Sequence, residues 1–321
     1  MQSVLHPRVQ LSRTKHRKLA AWRLSDGRTE AVVVPALGRV MSYGFVGGAN
    51  MLWAPDEAPD LNGWENRGGD KTWPGPEGLW STTVGYAWPP DLAWDNAPHA
   101  SRVLAGARLR TISPVSAGLG ARVIREYSIN ARGELEIEQI VEKLRGAPQI
   151  FSIWNVTQTQ PDAVYLPLSP QSVYKNGFHW FAGKPQDGAS VAPVTRRLLR
   201  VLPRHLERAS AEKSYKIGVD ARVSCVVAVK GNVAFVERAP IKHGVYPDGP
   251  ASSGFPVELY DSADKDALQH YVELEMLSPL RLMKSGDRFS HTVRWSMQKL
   301  RSSNPNSQAT FNEISRLMNA K

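Results

Sequence analysis

The sequence predicts an all-β protein of large antiparallel sheets, closed by a short C-terminal helix. Two observations carry this reading. Apolar residues alternate with polar ones in several stretches at the period of two that marks a half-buried strand, and glycine-containing turns separate those stretches. Helical periodicity is confined to one place, where Phe311, Ile314, Leu317 and Met318 form an apolar stripe near the C-terminus.

Taken in order, "KLAAWRLSDGRTEAVVVP" holds two apolar runs around Asp26-Gly27, a dipeptide that accepts the positive φ of a tight hairpin turn. "ARVIREYSINARGELEIEQIVEKL" repeats the pattern over Asn130 to Gly133, with Leu135 and Ile137 on one face and Glu134, Glu136 and Glu138 on the other. "ARVSCVVAVKGNVAFVERA" reads as a third hairpin turning at Lys230-Gly231-Asn232. "HYVELEML" and "RFSHTVRWSMQKL" read as two more strands, turning near Ser285-Gly286-Asp287. The 194–208 stretch has room for a helical turn, interrupted by Pro203. Segments 54–99 and 158–192 lack periodicity and are rich in Pro, Gly and Trp, so they read as long, ordered, functional loops. These boundaries suggest a single domain over 17–300, a basic N-terminal extension over 1–16, and a linker with helix over 301–321.

Composition sets the limits. A chain of 321 residues with 42% hydrophobic and 22% charged residues is a folded globular protein rather than a disordered one. No apolar run approaches the ~20 residues of a bilayer span, so no membrane partner is expected. The basic N-terminus lacks the apolar core of a signal peptide as written. Compartment stays open between the cytoplasm and, had a leader been removed, the periplasm or exterior. Cys225 is the only cysteine, which excludes an internal disulfide and a thiolate cluster, and its setting "RVSCVVAV" reads as a buried strand. The net charge of +10 invites a polyanion reading. Basic residues are mostly scattered, however, and the denser runs at 13–18 and 195–208 lack interleaved aromatics, so a solvated face is expected and nucleic acid is not. Metal-ligand spacing, a phosphate-cradling loop and a G-x-S-x-G elbow are all missing, so no metal or cofactor is expected. Oligomeric state is not legible.

The chemistry concentrates in three places. Tryptophans at 53, 64, 73, 80, 88 and 94 are six of the chain's ten. Some hold irregular backbone together; others suit the apolar C–H faces of a pyranose. "GGDKTWPGPEGLW" adds Asp70, Lys71 and Glu77 to Trp73 and Trp80, and "WPPDLAWDNAPH" adds Asp91 to Trp88. Side by side, these loops would wall a polar, aromatic pocket. In "HYVELEMLSP" alternation puts Glu273 and Glu275 on the face of Tyr271, roughly 6.5–7 Å apart along a strand and within the range used by paired acid/base carboxylates. On its own this is also the pattern of a solvent-facing strand. His179 in "NGFHWFAG" and His243 in "IKHGVYPDG" are loop-borne candidates for an acid.

Together "PALGRVMSYGFVGGANMLW", "GGDKTWPGPEGLW", "WPPD", "WNVTQ", "YKIG", "YPDG" and "YVELEMLSPL…SGD…VRW" resemble the galactose mutarotase-like superfamily, in collinear order from about residue 17 to 300. They are most similar to its DUF4380-type branch. The resemblance implies a β-supersandwich whose concave face holds a sugar, with Asn155 and Lys216 among the ligand contacts. It also implies cofactor-free interconversion of anomers, in which a late-strand glutamate takes the anomeric proton and a histidine protonates the ring oxygen. Glu273 or Glu275 occupies the glutamate position, with Glu273 preferred. The histidine of the Asn-His pair is replaced by Val156, so Lys71, His179 or His243 must donate the proton, or the site only binds. Three functions follow as expectations: an aldose 1-epimerase-like isomerase acting on a sugar, a non-catalytic binder of a sugar or oligosaccharide, and a binder of acidic polymers.

Overall fold

The Asp26-Gly27 hairpin forms where the turn residues place it. Leu19–Ser25 and Thr29–Val34 pair antiparallel, Gly27 takes φ +85°, and Asp26 Oδ1 accepts from the amides of Arg28 and Thr29. The same holds for Ala121–Ile129 with Leu135–Lys143 and for Ser224–Lys230 with Val233–Ala239. This computed structural model describes residues 9–56, 63–182, 190–203, 214–249, 254–262 and 270–320.

Two antiparallel sheets result. The first runs Gln10–His16, Leu19–Ser25, Thr29–Val34, Arg39–Phe45, Asp70–Gly75, Gln149–Thr159, Val272–Leu277, Val257–Asp261, Tyr215–Val219 and His179–Ala182, with the short Arg281–Met283 also on Gln149–Thr159. The second runs Val191–Thr195, Leu198–Val201, Ala163–Pro167, Ser224–Lys230, Val233–Ala239, Arg288–Lys299, Leu135–Lys143, Ala121–Ile129, Arg108–Ile112 and Ala100–Leu104. Their inner faces share one apolar core in which Leu274 and Met276 of the first sheet meet residues such as Val226 and Trp295 of the second. Burial of such side chains at about 1.5–3 kcal/mol each is the main stabilising term. On the outer side of the second sheet, the Gln308–Asn319 helix lays Phe311, Ile314 and Met318 against Tyr165, Cys225 and Val227. Ser307 caps it by accepting from the Thr310 amide. Cys225 is wholly buried there, and burial pushes its thiol up to about 12.

Four expectations are corrected. Gly68–Trp80 is not one irregular loop: Asp70–Gly75 is a central strand, paired along its length with Gln149–Thr159. Pro74 is tolerated because the other neighbour, Arg39–Phe45, pairs only at Val40–Asp70, so that side needs no amide from residue 74. Val272–Leu277 and Arg288–Lys299 do not form a hairpin but lie in different sheets, since Arg281–Met283 first pairs with Gln149–Phe151 and carries the chain across. The first sheet starts before residue 17, because Gln10–His16 pairs with Leu19–Ser25. Val191–Thr195 and Leu198–Val201 are strands where a helical turn was expected; residues 204–208 of that basic run lie outside the described residues.

Candidate active site

Alternation along five neighbouring strands of the first sheet sorts their side chains between two faces. Asp70, Thr72, Asn155, Thr157 and Leu274 point into the sandwich, where Thr72 meets Gln139 and Asn155 meets Glu237 of the second sheet. Their neighbours point the other way. Lys71 and Trp73, Trp154 and Gln158, Glu273 and Glu275, Tyr260, and Lys216 line a cavity of about 320 Å³ on the outer face. Trp64, Glu77 and Trp88 complete its wall from the connections around Asp70–Gly75. Val156 lies on this face too, in the apolar cluster with Trp73, Trp154 and Leu277.

The glycine pair ahead of Lys71 is required by geometry. Gly68 and Gly69 take φ +73° and +69°, and a Cβ on them would meet Trp53 O at 2.3 Å and Val40 O at 2.4 Å. Arg39 holds this turn by donating to Gly68 O at 2.7 Å, and its other arm pairs with Asp95 at 2.7 Å. Asp95 also accepts from Trp64 Nε1 at 2.8 Å. Burial pushes the Asp95 carboxyl up, but Arg39 and Lys71 outweigh it and leave the group below its usual range. A fixed carboxylate thus braces the cavity's rear wall.

The aromatic wall is a set of edge contacts. Trp73 meets Trp154 at 5.2 Å and 86°, and Trp88 at 5.9 Å and 90°. Such packing fixes the ring planes. Trp88 is 51% exposed at the mouth.

Two ionic groups sit on the floor. In the first, Lys71 Nζ lies 3.5 Å from Glu273 Oε1, and both side chains are nearly buried. Glu273 Oε1 also accepts from Gln158 Nε2 at 2.7 Å. Lys71 Nζ makes no hydrogen bond among the described residues and sits 4.8 Å over the Trp73 ring. Burial lowers its pKa to about 8, with Glu273 offsetting only part of that loss. In the second, Lys216 Nζ pairs with Glu258 at 2.7 Å and Glu275 at 2.9 Å, over the Trp154 ring at 4.4 Å. Burial alone would lower Lys216, but its two carboxylates raise it, so it stays an ammonium. One ammonium cannot neutralise two buried carboxylates. Burial accordingly raises Glu258 well above the usual range and Glu275 to about 7. Trp154 Nε1 donates to Glu275 Oε2 at 2.7 Å. Glu275 Oε1 and Gln158 Oε1, like Lys71 Nζ, have no hydrogen-bond partner among the described residues. With Arg39 Nε and Trp73 Nε1, five such buried polar atoms belong to residues lining one cavity, and a ligand rich in hydroxyls would satisfy those it reaches.

Of the residues singled out from sequence, the structure brings Lys71, Trp73, Glu77, Trp88, Lys216, Glu273 and Glu275 to this cavity. The others have different places. Asp70 is wholly buried in the sandwich, ion-paired to Arg125 and accepting from Thr157. Asn155 donates to Glu237 at 2.8 Å on the same inner side. Trp80 lies behind the wall, donating to Pro74 O at 2.6 Å. Asp91 caps the Leu92–Asp95 turn and accepts from Ser116. His179 stacks on Phe255 at 5.9 Å and His243 is exposed, and neither lines the cavity. Trp154 and Gln158 were missed, although their i, i+4 spacing on a strand through Val156 places all three on one face.

A second cleft, of about 480 Å³, lies between the 195–198 turn and the C-terminal helix. Arg196, Arg197 and Arg222 line it, with no carboxylate or aromatic side chain among the described residues, which offer neither an acid/base pair nor a stacking face. Among the described residues no group of three or more His, Cys, Asp or Glu could hold a metal ion, and no helix is long and apolar enough to cross a membrane.

No family model and no curated protein matches the sequence. Solved structures do match by shape. A candidate aldose 1-epimerase from Klebsiella pneumoniae aligns with TM-score 0.59 at 9% identity, over 95% of this chain and 86% of that one. A candidate mutarotase from Salmonella typhimurium gives 0.57 at 12% identity, over 90% and 94%. A galactose mutarotase-like protein from Lactobacillus casei gives 0.54 at 8% identity, over 90% and 100%. The chain therefore has a galactose mutarotase-like β-sandwich fold; at these identities the likeness shows fold and leaves function to the site.

Proposed function

We propose that the outer-face cavity binds a monosaccharide in its ring form and interconverts its anomers by acid/base catalysis, with Glu273 as base and Lys71 as acid. The observation that carries this reading is the Lys71–Glu273 pair, 3.5 Å apart and facing an aromatic-walled cavity. Anomer interconversion needs one proton removed from the hydroxyl on C1 and one delivered to the ring oxygen on the same carbon. A donor and an acceptor this close span that centre, and the ring's apolar face would lie on indole. The volume is at the lower end of small-molecule sites, ~300–1,000 Å³, and so suits one sugar ring better than an oligosaccharide. The motif block from Gly68 to Trp80 supports placing the chain in the DUF4380-type branch.

Thermal-shift titration with a panel of aldoses and their methyl glycosides tests the binding half. At least one sugar is expected to raise the melting temperature with saturation, and failure of the whole panel would overturn the sugar reading. A purely binding role is the second reading, favoured by Val156 at the position where the resemblance implies a histidine. Binding without any catalysed change of anomer would establish it.

A further inference from the structure

A lysine in the proton-donor role has a chemical consequence that a histidine lacks. Once Lys71 has delivered its proton to the ring oxygen, it is a neutral primary amine. The same step has turned C1 into an open-chain aldehyde beside it. Resting on the sugar reading above, we infer that Lys71 captures the open-chain carbonyl of the bound sugar as a reversible imine, so that the cavity is a covalent carbonyl site as well as a sugar site.

Position and surroundings both suit that chemistry. Lys71 is 2% exposed, on a paired central strand, with Nζ at the cavity and making no hydrogen bond among the described residues. The Trp73 ring lies 4.8 Å from Nζ and covers one side of it. Lys216, the other lysine of the cavity, is unsuited: two carboxylates at 2.7 and 2.9 Å keep it charged. A desolvated lysine is the usual nucleophile toward carbonyls.

The steps balance with Glu273 alone as proton carrier. Ring opening leaves Lys71 as amine, Glu273 as carboxylic acid and C1 as aldehyde. The nitrogen lone pair forms the N–C1 bond while the carbonyl π pair moves onto oxygen, which takes the proton from Glu273. The nitrogen then gives a proton back to the Glu273 carboxylate, leaving a carbinolamine. Glu273 protonates its hydroxyl, water leaves, and the nitrogen lone pair closes C=N as a protonated imine beside the Glu273 carboxylate. The sum is ammonium plus aldehyde giving iminium plus water, with no oxidant or reductant. Addition of water reverses it.

Reductive trapping tests this on the full chain. The protein is incubated with glycolaldehyde, which needs no ring opening and no particular stereochemistry, and with sodium cyanoborohydride, and peptide mass mapping follows the labelling rate of every lysine. With a pKa near 8, Lys71 holds on the order of a hundredfold more free amine near neutral pH than a surface lysine, so it should label first. Its rate should rise with pH and level off above about 8. A methyl glycoside that raises the melting temperature should slow labelling of Lys71 alone. Above about pH 8, where the Lys71 amine is already free and loss of the Glu273 charge cannot add to it, the Glu273→Gln variant, which keeps a polar neighbour of the same size, should label more slowly at Lys71 with other lysines unchanged. Labelling of Lys71 no faster than of exposed lysines overturns the imine, and where sugars still shift the melting temperature the sugar reading survives. Fast labelling of Lys71 with no response to any sugar would keep the carbonyl chemistry and remove the sugar reading.

Discussion

Lys71 is the cross-strand register partner of Val156, and Glu275 is its partner on the other side. The strand position where the resemblance implies a histidine is therefore flanked by a lysine with a depressed pKa and a glutamate with a raised one. A lysine acting in place of that histidine would stand one strand away, at the same level of the sheet.

If Lys71 donates the proton, it must be charged at the start of the reaction. Raising the pH through about 8 should therefore reduce the catalysed rate, since the ammonium is lost there. Labelling of the same amine by glycolaldehyde should rise over the same interval. Opposite limbs centred on one pH would tie both to Lys71; parallel limbs would separate them.

Trp88 and Trp80 should respond differently to truncation. Trp88, exposed at the mouth, should weaken sugar affinity about tenfold on change to alanine, ~1.4 kcal/mol, with little change in melting temperature. Trp80 is buried and hydrogen-bonded to Pro74. Its change to alanine should cost about 3–5 kcal/mol of folding stability. Calorimetric titration and denaturant unfolding of the two variants check this.

Asp70→Ala should act on stability rather than on ligand affinity. It strips the partner from Arg125, which is wholly buried between the sheets, at a cost of about 3–5 kcal/mol. Urea unfolding should show that loss, while folded protein binds sugar as before.

Glu237 provides a pH test of the polar interior. Burial, with Asp70 adding to it, raises its pKa well above the usual 4.5. Below that pH the carboxyl is protonated in folded and unfolded chains alike, and no cost arises. Above it the unfolded chain ionises while the folded one keeps its proton, so stability falls by about 1.4 kcal/mol per pH unit until the folded group titrates. Glu237→Gln retains the acceptor for Asn155 Nδ2. It should therefore stabilise the protein at pH 7 and leave it unchanged near pH 4, as read from unfolding curves at both.

Much of the site is legible in the sequence because strand alternation survives in "YVELEML": Tyr271, Glu273 and Glu275 share the cavity face, and Val272, Leu274 and Met276 are buried opposite. Asp70–Gly75 is where legibility fails. Pro74 and two glycines hide a strand that relies on only one fully paired neighbour. Read as a loop, it offers Asp70 and Lys71 together to a ligand; as a strand, it sends Asp70 to Arg125 and Lys71 to the cavity. Asn155 is separated from Trp154 in the same way. Asp91 and Trp80 match the pocket in composition, but a short helical turn and a carbonyl of their own chain claim them. The pairing of Lys216 with Glu258 and Glu275 joins three strands distant in sequence, and no local pattern announces it.

Polarimetry of freshly dissolved α-anomers, with wild-type protein, Lys71→Met and Glu273→Gln, decides whether Lys71 and Glu273 act on a sugar as acid and base. The wild type should speed the decay of optical rotation for a sugar that binds, and each variant should lose about 10²–10⁴-fold of that acceleration while remaining folded. Decay at the buffer rate for every sugar that binds the wild type, or full acceleration by either variant, would contradict those roles.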